Sequence, residues 1–125
     1  MASLREKAIH LLSATTVSLA ADADTTLYTV PVGKRCILHS AILVAGADAG
    51  TTVISIGADG AETNFIPNNT LSGVNAQYDA AILMPVPNTT PTLTKSYAAG
   101  TVIQAKVSSQ AGGATNTLYL YGMLY

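Results

Sequence analysis

Residues 101–125 read TVIQAKVSSQAGGATNTLYLYGMLY, and this stretch contains two strand patterns separated by a Gly-rich loop. In the first pattern apolar and polar side chains alternate, with Ile103, Ala105 and Val107 on one side and Lys106 on the other. A period of two is typical of a β-strand with one buried face. The first pattern therefore predicts a strand that packs one face on a core and exposes the other.

The second pattern, residues 116–125, is apolar on both faces. Three leucines and a glycine would lie on one face, and Tyr119, Tyr121, Met123 and Tyr125 on the other. A half-exposed antiparallel strand usually has a polar outer face, and Tyr and Met are enriched at protein interfaces. We therefore expect the tyrosine face to contact another subunit.

The long segment RCILHSAILVA, residues 35–45, shows the same property. An uninterrupted period of two places Cys36, Leu38, Ile42 and Val44 on one face and Ile37, Ala41 and Leu43 on the other. Strands of this kind are covered either by another subunit or by other segments of the same chain. Within the chain the candidates are the predicted loop PNNTLSGVN, residues 67–75, and the N-terminal residues.

The rest of the sequence predicts an all-β domain. Short β-branched and aromatic runs recur about every 8–12 residues between turns rich in Gly, Pro, Asn and Asp. From Thr15 onward this pattern gives eight or nine strands. The spacing indicates an antiparallel β-sandwich, jelly-roll-like with about eight strands, that forms one domain over residues 15–125.

Residues 1–14 differ in composition and are interpreted as an N-terminal arm. Ser3 and Glu6 match a helix capping box, and the apolar residues around and after them have helical spacing. The arm is therefore either a short helix or an extended segment that becomes ordered on a partner. Its expected interface residues are Leu4, Leu11 and Leu12 as apolar contacts, with Arg5 and Lys7 as electrostatic anchors.

The composition limits the possible partners. The chain of 125 residues has a net charge of −1, and 10% of its residues are charged, against roughly 25% in typical soluble domains. The sequence has neither the clustered Lys and Arg of a nucleic-acid site nor an apolar run long enough to span a membrane. A surface with so few charges has little protection against association, which favours a protein whose surface is partly covered by neighbours, as in a homo-oligomer.

Residue types that carry catalysis or bind metals are sparse. Cys36 and His39 would point to opposite faces of one strand, and the second histidine, His10, lies in the arm. Acidic residues fall in predicted turns, where Asp usually bonds its own backbone, although loop carboxylates can also bind calcium. These acidic residues are Asp22, Asp24, Asp48, Asp59 and Glu62. We expect no cofactor, no metal site and no enzymatic activity.

Two segments resemble a known family. TTLYTVPVGKRCIL, residues 25–38, is similar to the entry segment of small β-sandwich proteins of tailed bacteriophages, and residues 96–125 resemble their last two strands. Related segments occur in jelly-roll capsid decoration (cement) proteins and in tail or fibre modules. The compact length, the short charged arm and the absence of a fibre repeat make the chain more similar to the decoration proteins.

The resemblance implies a protein that binds the outer surface of the phage head across major capsid subunits and reinforces the shell. The implied partners are the major capsid protein and further copies of this chain, as a dimer or trimer. The chain would be made in the host cytoplasm and located on the capsid surface of the virion. The main alternative is a tail, neck or receptor-binding module whose tyrosines bind carbohydrate. A small cupin-type enzyme would need clustered His ligands, which the sequence lacks.

Overall fold

The computed structural model describes residues 8–85 and 95–125. These residues form nine β-strands and no helix, which confirms the all-β prediction. The strands are β1 (His10–Val17), β2 (Ala23–Thr29), β3 (Cys36–Val44), β4 (Val53–Ala58), β5 (Ala61–Thr70), β6 (Ala80–Leu83), β7 (Ser96–Tyr97), β8 (Val102–Ser108) and β9 (Asn116–Leu124). In this described part of the chain no helix could cross a membrane.

The strands form two antiparallel sheets with a nested order. One sheet has the order β1-β9-β3-β6, with β7 also paired to β3, and the other has the order β2-β8-β4-β5. Apart from the two-residue β7, the strands pair in a nested pattern. β1 pairs with β9, β2 with β8, β3 with β6 and β4 with β5. This is the pairing of a jelly roll, as the sequence predicted.

The core lies between the two sheets. Leu118 and Leu120 of β9 are fully buried there, and so are the inward residues that the alternation of β8 predicts. Each fully buried Leu or Ile side chain contributes roughly 1.5–3 kcal/mol to folding. The core therefore consists of one side of every long strand, which leaves the other side of each sheet for the surface.

A β-bulge in β3 corrects the predicted faces of that strand. The register shifts between Leu38 and Ser40, so that His39 and Ser40 both lie on the outside. Beyond the bulge Ala41 and Leu43 are buried, whereas Ile42 lies on the outer side. The assignment of the second half of β3 from an uninterrupted period was wrong, because the extra residue of a bulge reverses the alternation.

Strand β1 begins inside the segment that the sequence assigns to the arm. Residues 10–14 are extended and pair with β9, so the helical alternative is wrong for these residues. Leu11 lies on the outer side, and Leu12 packs against the core. Pairing with β9 satisfies the backbone and buries Leu12, whereas an isolated short helix is marginal in water. Residues 1–7 lie outside the described residues.

Gly122 interrupts the leucines of β9 because β3 and β1 approach it closely. A Cβ atom at Gly122 would lie 2.5 Å from the carbonyl oxygen of Ile37 and 2.8 Å from Cδ1 of Leu12. The backbone oxygen cannot move away without disturbing the ladder beside the bulge. The glycine therefore allows β9 to pair with strands on both sides.

The predicted loop PNNTLSGVN borders the five-stranded sheet at β6, where Leu71, Gly73 and Val74 line one cavity with Ala80 and Ile82. Its first part, residues 67–70, belongs to β5 in the other sheet. The remainder packs at one end of the sandwich, where Leu71 N–H donates to Thr52 O (2.9 Å) and Ala49 N–H donates to Val74 O (2.9 Å). Leu71 and Val74 are buried in this end of the core.

Asn116 connects three chain segments at the same end of the sandwich. Its Oδ1 accepts the N–H of Gly46 (3.0 Å), and its Nδ2 donates to the carbonyl oxygens of Val17 (3.0 Å) and Gly113 (2.9 Å). The residue is 2% exposed. The side chain thus bonds three backbone groups, of which Gly113 O also accepts the N–H of Leu19 (3.0 Å).

We expect Asn116→Ala to lower the free energy of unfolding by about 3 kcal/mol, because each buried backbone group left without a partner costs roughly 1–3 kcal/mol. Urea unfolding followed by circular dichroism measures this change. The matched control is Asn68→Ala in β5, where the side chain is exposed, with an expected change within about 0.5 kcal/mol. Equal effects of the two substitutions would contradict the role of Asn116.

Candidate functional site

The outer side of the five-stranded sheet is the candidate functional surface, and we call it the apolar face. It consists of strand residues that point away from the core, as the register and the burial pattern show. They are Leu11, Ala14 and Thr16 of β1; Thr117, Tyr119, Tyr121 and Met123 of β9; Ile37, His39, Ser40, Ile42 and Val44 of β3; and Ala80 and Ile82 of β6.

One row of the apolar face crosses all four long strands. Tyr119 lies opposite Ala14 on one side and Ile42 on the other, and Ile42 lies opposite Ile82. Directly opposed residues on one face of a sheet have Cβ atoms about 4.5–5.5 Å apart, so these side chains contact one another. At the two edges, Ile82 is 70% exposed and Leu11 is 47% exposed. The apolar face is therefore continuous and open to solvent in the described residues.

The two sheets differ in charge. The strands of the five-stranded sheet contain no Asp, Glu, Lys or Arg, whereas the four-stranded sheet carries Asp24, Glu62 and Lys106 on its strands. Charged residues on an outer strand face keep a sheet in water and away from other proteins. The apolar face lacks this protection, and it is the part of the molecule best suited to contact another protein.

The structure brings together most of the predicted interface residues in β1 and β9. Tyr119, Tyr121, Met123 and Leu11 share the apolar face. Leu12 does not, because it packs against the core. The predicted arm residues Leu4, Arg5 and Lys7 lie outside the described residues.

Tyr125 lies at the end of the apolar face and is held in place by β3 and β7. Its backbone N–H donates to Arg35 O (3.0 Å), and Arg35 N–H donates to Tyr125 O (2.8 Å). The tyrosine hydroxyl is 2.7 Å from Ser96 Oγ, which also accepts a bond from Arg35 Nε (3.3 Å). The hydrogen bonds with Ser96 and Arg35 lower the pKa of Tyr125 below its usual value. These hydrogen bonds fix the C-terminal end of β9 at one end of the apolar face.

Tyr78, which the sequence did not indicate as a site residue, has the most exposed aromatic side chain of the described residues at 78%. It has a φ of 73°, and its N–H donates to Ala45 O (2.8 Å). The next residue, Asp79, accepts the N–H groups of Asn75 (2.9 Å) and Ala76 (3.1 Å) with one carboxylate oxygen. The turn therefore holds a large aromatic side chain in solvent in a left-handed conformation. Asn75 and Asp79 are the turn-forming residues that could have indicated it.

Three of the five acidic residues expected in turns bond backbone N–H groups in the structure. The carboxylates of Asp48, Glu62 and Asp22 accept backbone N–H groups of Gly50 (2.7 Å), Gly60 (3.2 Å) and Gln110 (3.0 Å), in that order. The described residues contain no cluster of three or more His, Cys, Asp or Glu side chains that could hold a metal. Asp48 and Glu62 therefore stabilise their own turns, whereas Asp22 links two loops that are 88 residues apart in the sequence.

Cys36 and His39 lie on opposite sides of β3, as predicted. Cys36 is fully buried, and burial raises the pKa of its thiol to about 11. His39 is exposed, and its Nδ1 is 3.1 Å from Ser40 Oγ. A protonated, buried thiol is a poor nucleophile, so Cys36 acts as a core residue.

Comparison with solved structures finds a similar fold in a chain of the cyanophage Pam1 capsid asymmetric unit. The similarity covers 92% of this chain and 84% of that chain, with a TM-score of 0.57 and 17% sequence identity. At this identity the similarity shows a shared fold. The sequence matches no protein-family model, and a search of curated proteins finds no significant match.

We expect Tyr78→Gly to raise the free energy of unfolding by about 1 kcal/mol, because glycine adopts a positive φ without the cost of about 1–2 kcal/mol that a side chain incurs. The matched control is Tyr78→Ala, which removes the ring but keeps the strained φ. If chemical denaturation shows the same stability for the two variants, the backbone conformation is not the source of the effect.

We expect the stability of the protein to fall as the pH rises from 9 to 11. The folded state raises the pKa of Cys36 from 9.0 to about 11, so in this window the unfolded chain releases a proton that the folded chain keeps. Burial also raises the pKa of Tyr97 above its usual 10.0, which adds a loss in the same direction at higher pH. Urea unfolding at pH 8 and pH 10 should show a smaller loss for Cys36→Ala than for the natural chain, and equal losses would contradict this assignment.

Proposed function

We propose that the protein is a non-enzymatic structural protein of a phage virion, a decoration or cement protein that binds the outer surface of the head across major capsid subunits. The observation that carries the proposal is the fold similarity to a chain of the cyanophage Pam1 capsid asymmetric unit over 92% of this chain. Residues 25–38 and 96–125 resemble small β-sandwich proteins of tailed bacteriophages, and the compact length and short charged N-terminal segment make the chain more similar to the decoration proteins among them.

The surface chemistry supports a binding role rather than a catalytic one. The thiol of Cys36 is buried, three of the carboxylates are bonded to backbone N–H groups, and the exposed side chains include the large apolar or aromatic Leu11, Tyr78 and Ile82. Tyr and apolar residues in a rigid frame supply contact area at a low entropy cost. A decoration protein needs this property and no reacting group.

Stabilisation of a shell follows from linkage. A protein that binds the assembled lattice, and binds its separated subunits less well, shifts the equilibrium toward the lattice by its binding free energy at each site. Each contact can be weak because the site is repeated over the lattice. A small rigid domain is sufficient for this function.

Two parts of the chain are the proposed capsid contacts. Residues 1–7 precede β1 and could reach about 25 Å if extended at roughly 3.5 Å per residue, with Arg5 and Lys7 as charged anchors. Tyr78 is an exposed aromatic residue on a turn fixed by hydrogen bonds to Ala45 and Asp79. Aromatic residues of this kind are frequent among the side chains that dominate binding energy.

The experiment is co-sedimentation of the purified chain with capsids of the phage that encodes it. We expect binding at a fixed ratio to capsid subunits, weakened at least tenfold by deletion of residues 1–7 and by Tyr78→Gly. Both changes spare the sandwich, because β1 begins at His10 and glycine suits the φ of residue 78. Deletion of residues 1–14 would remove more than half of β1 and is not a usable variant.

Thr26→Lys provides the control, because Thr26 is exposed on β2 and is distant in sequence from both proposed contacts. It should bind as the natural chain does. Absence of binding to capsids, with the protein found instead in purified tails or bound to host glycans, would reject the decoration proposal. The tail or receptor-binding alternative would then replace it.

A further inference from the structure

We infer that the apolar face is a self-association surface, on which the five-stranded sheets of two copies of this chain pack face to face around a two-fold axis. The inference goes beyond the proposed function and does not depend on it. Its basis is the continuous row from Ala14 of β1 across Tyr119 and Ile42 to Ile82 of β6, in which no residue is charged; Leu11 extends the face along β1.

A two-fold contact sets a strict condition on charge, which the apolar face meets. In such an interface the same patch is used by both copies, and residues near the axis meet their own counterparts. Any charge near the centre would face a like charge. Tyr119 and Ile42 lie in the centre of the face, and neither can repel its counterpart in this way. The opposite sheet, with Asp24, Glu62 and Lys106 on its strands, does not meet the condition.

The geometry of sheets also suits a second copy. Two sheets pack face to face about 10 Å apart with interdigitated side chains. Two rings of Tyr119 or Tyr121 can then stack in offset or edge-to-face positions, which contributes about 0.5–1.5 kcal/mol for each pair beyond the area buried. Their hydroxyl groups can form hydrogen bonds across the contact.

The size of the apolar face predicts a weak dimer. Four strands about 4.8 Å apart, each with roughly seven residues at about 3.3 Å, give on the order of 450 Å². Two copies would bury about 900 Å², below the roughly 1,200 Å² at which stable specific interfaces begin and within the range of weak complexes. An apolar patch of about 450 Å² is within the range of the largest patch on a typical monomer, and such a patch is often functional. We therefore expect a dimer that dissociates on dilution.

The test is sedimentation equilibrium of the full chain over a wide concentration range, with variants at the two edges of the apolar face. We expect a reversible monomer–dimer equilibrium in the natural chain. Ile82→Lys and Leu11→Lys place an ammonium group in the contact and should weaken the dimer at least tenfold, because burial of an unpaired charge is costly. Both positions are largely exposed, so the fold should persist, and the melting temperature checks this.

The matched control is again Thr26→Lys, which adds the same charge to an exposed strand residue of the other sheet and should leave the dimer unchanged. A natural chain that stays monomeric at all concentrations would overturn the inference, as would a dimer that Ile82→Lys and Leu11→Lys leave intact. If the natural chain is monomeric and the same two variants lose capsid binding, the apolar face docks on the capsid instead. Loss of the dimer with retained capsid binding would support both proposals.

Discussion

The pairing of β9 with both β1 and β3 is the interaction on which the rest of the structure depends. It joins the end of the described chain to its beginning and places one strand in the middle of the five-stranded sheet. Both ends of β9 are fixed, by the buried side chain of Asn116 and by the backbone pair of Tyr125 with Arg35. Because the strand is central, its two rows of side chains face different environments. The leucines fill the core, and the tyrosines form the outer surface.

This division explains why the two sides of the molecule differ. Charges are found on the strands of the four-stranded sheet and in the loops, whereas the strands of the five-stranded sheet have none. The loop ends are fixed by hydrogen bonds such as those of Thr52, Asp79 and Asn116. A rigid frame of this kind loses little conformational entropy when a partner binds. The fold thus provides prepared surfaces, and the proposed functions use those surfaces without any chemical step.

Several features of the fold could be predicted from the sequence and others could not, for identifiable reasons. The alternation in β8 indicates its buried side correctly because that strand has no bulge within its core-facing residues. In β3 the same reasoning fails after Leu38, since nothing local in HSAIL shows that His39 and Ser40 would share one side. The strand character of residues 10–14 was hidden because Leu11 and Leu12 fit helical spacing as well as a strand. The extended conformation of residues 10–14 is favoured over a helix because these residues pair with the edge of β9 that β3 does not occupy.

The sequence by itself determined the all-β class, the approximate number of strands and the apolar character of both faces of the last strand. It also resembles no catalytic motif. These follow from local properties, namely the period of two and the turn residues. Only the tertiary structure decided which apolar side is core and which is surface. It also decided that Asn116 is buried with three hydrogen bonds, and that Tyr78 is held outward at a positive φ. Those outcomes depend on contacts between residues distant in the sequence, such as Val17 with Asn116 and Ala45 with Tyr78. Local turn residues such as Asn75 and Asp79 indicate a turn but not which side chain it holds in solvent.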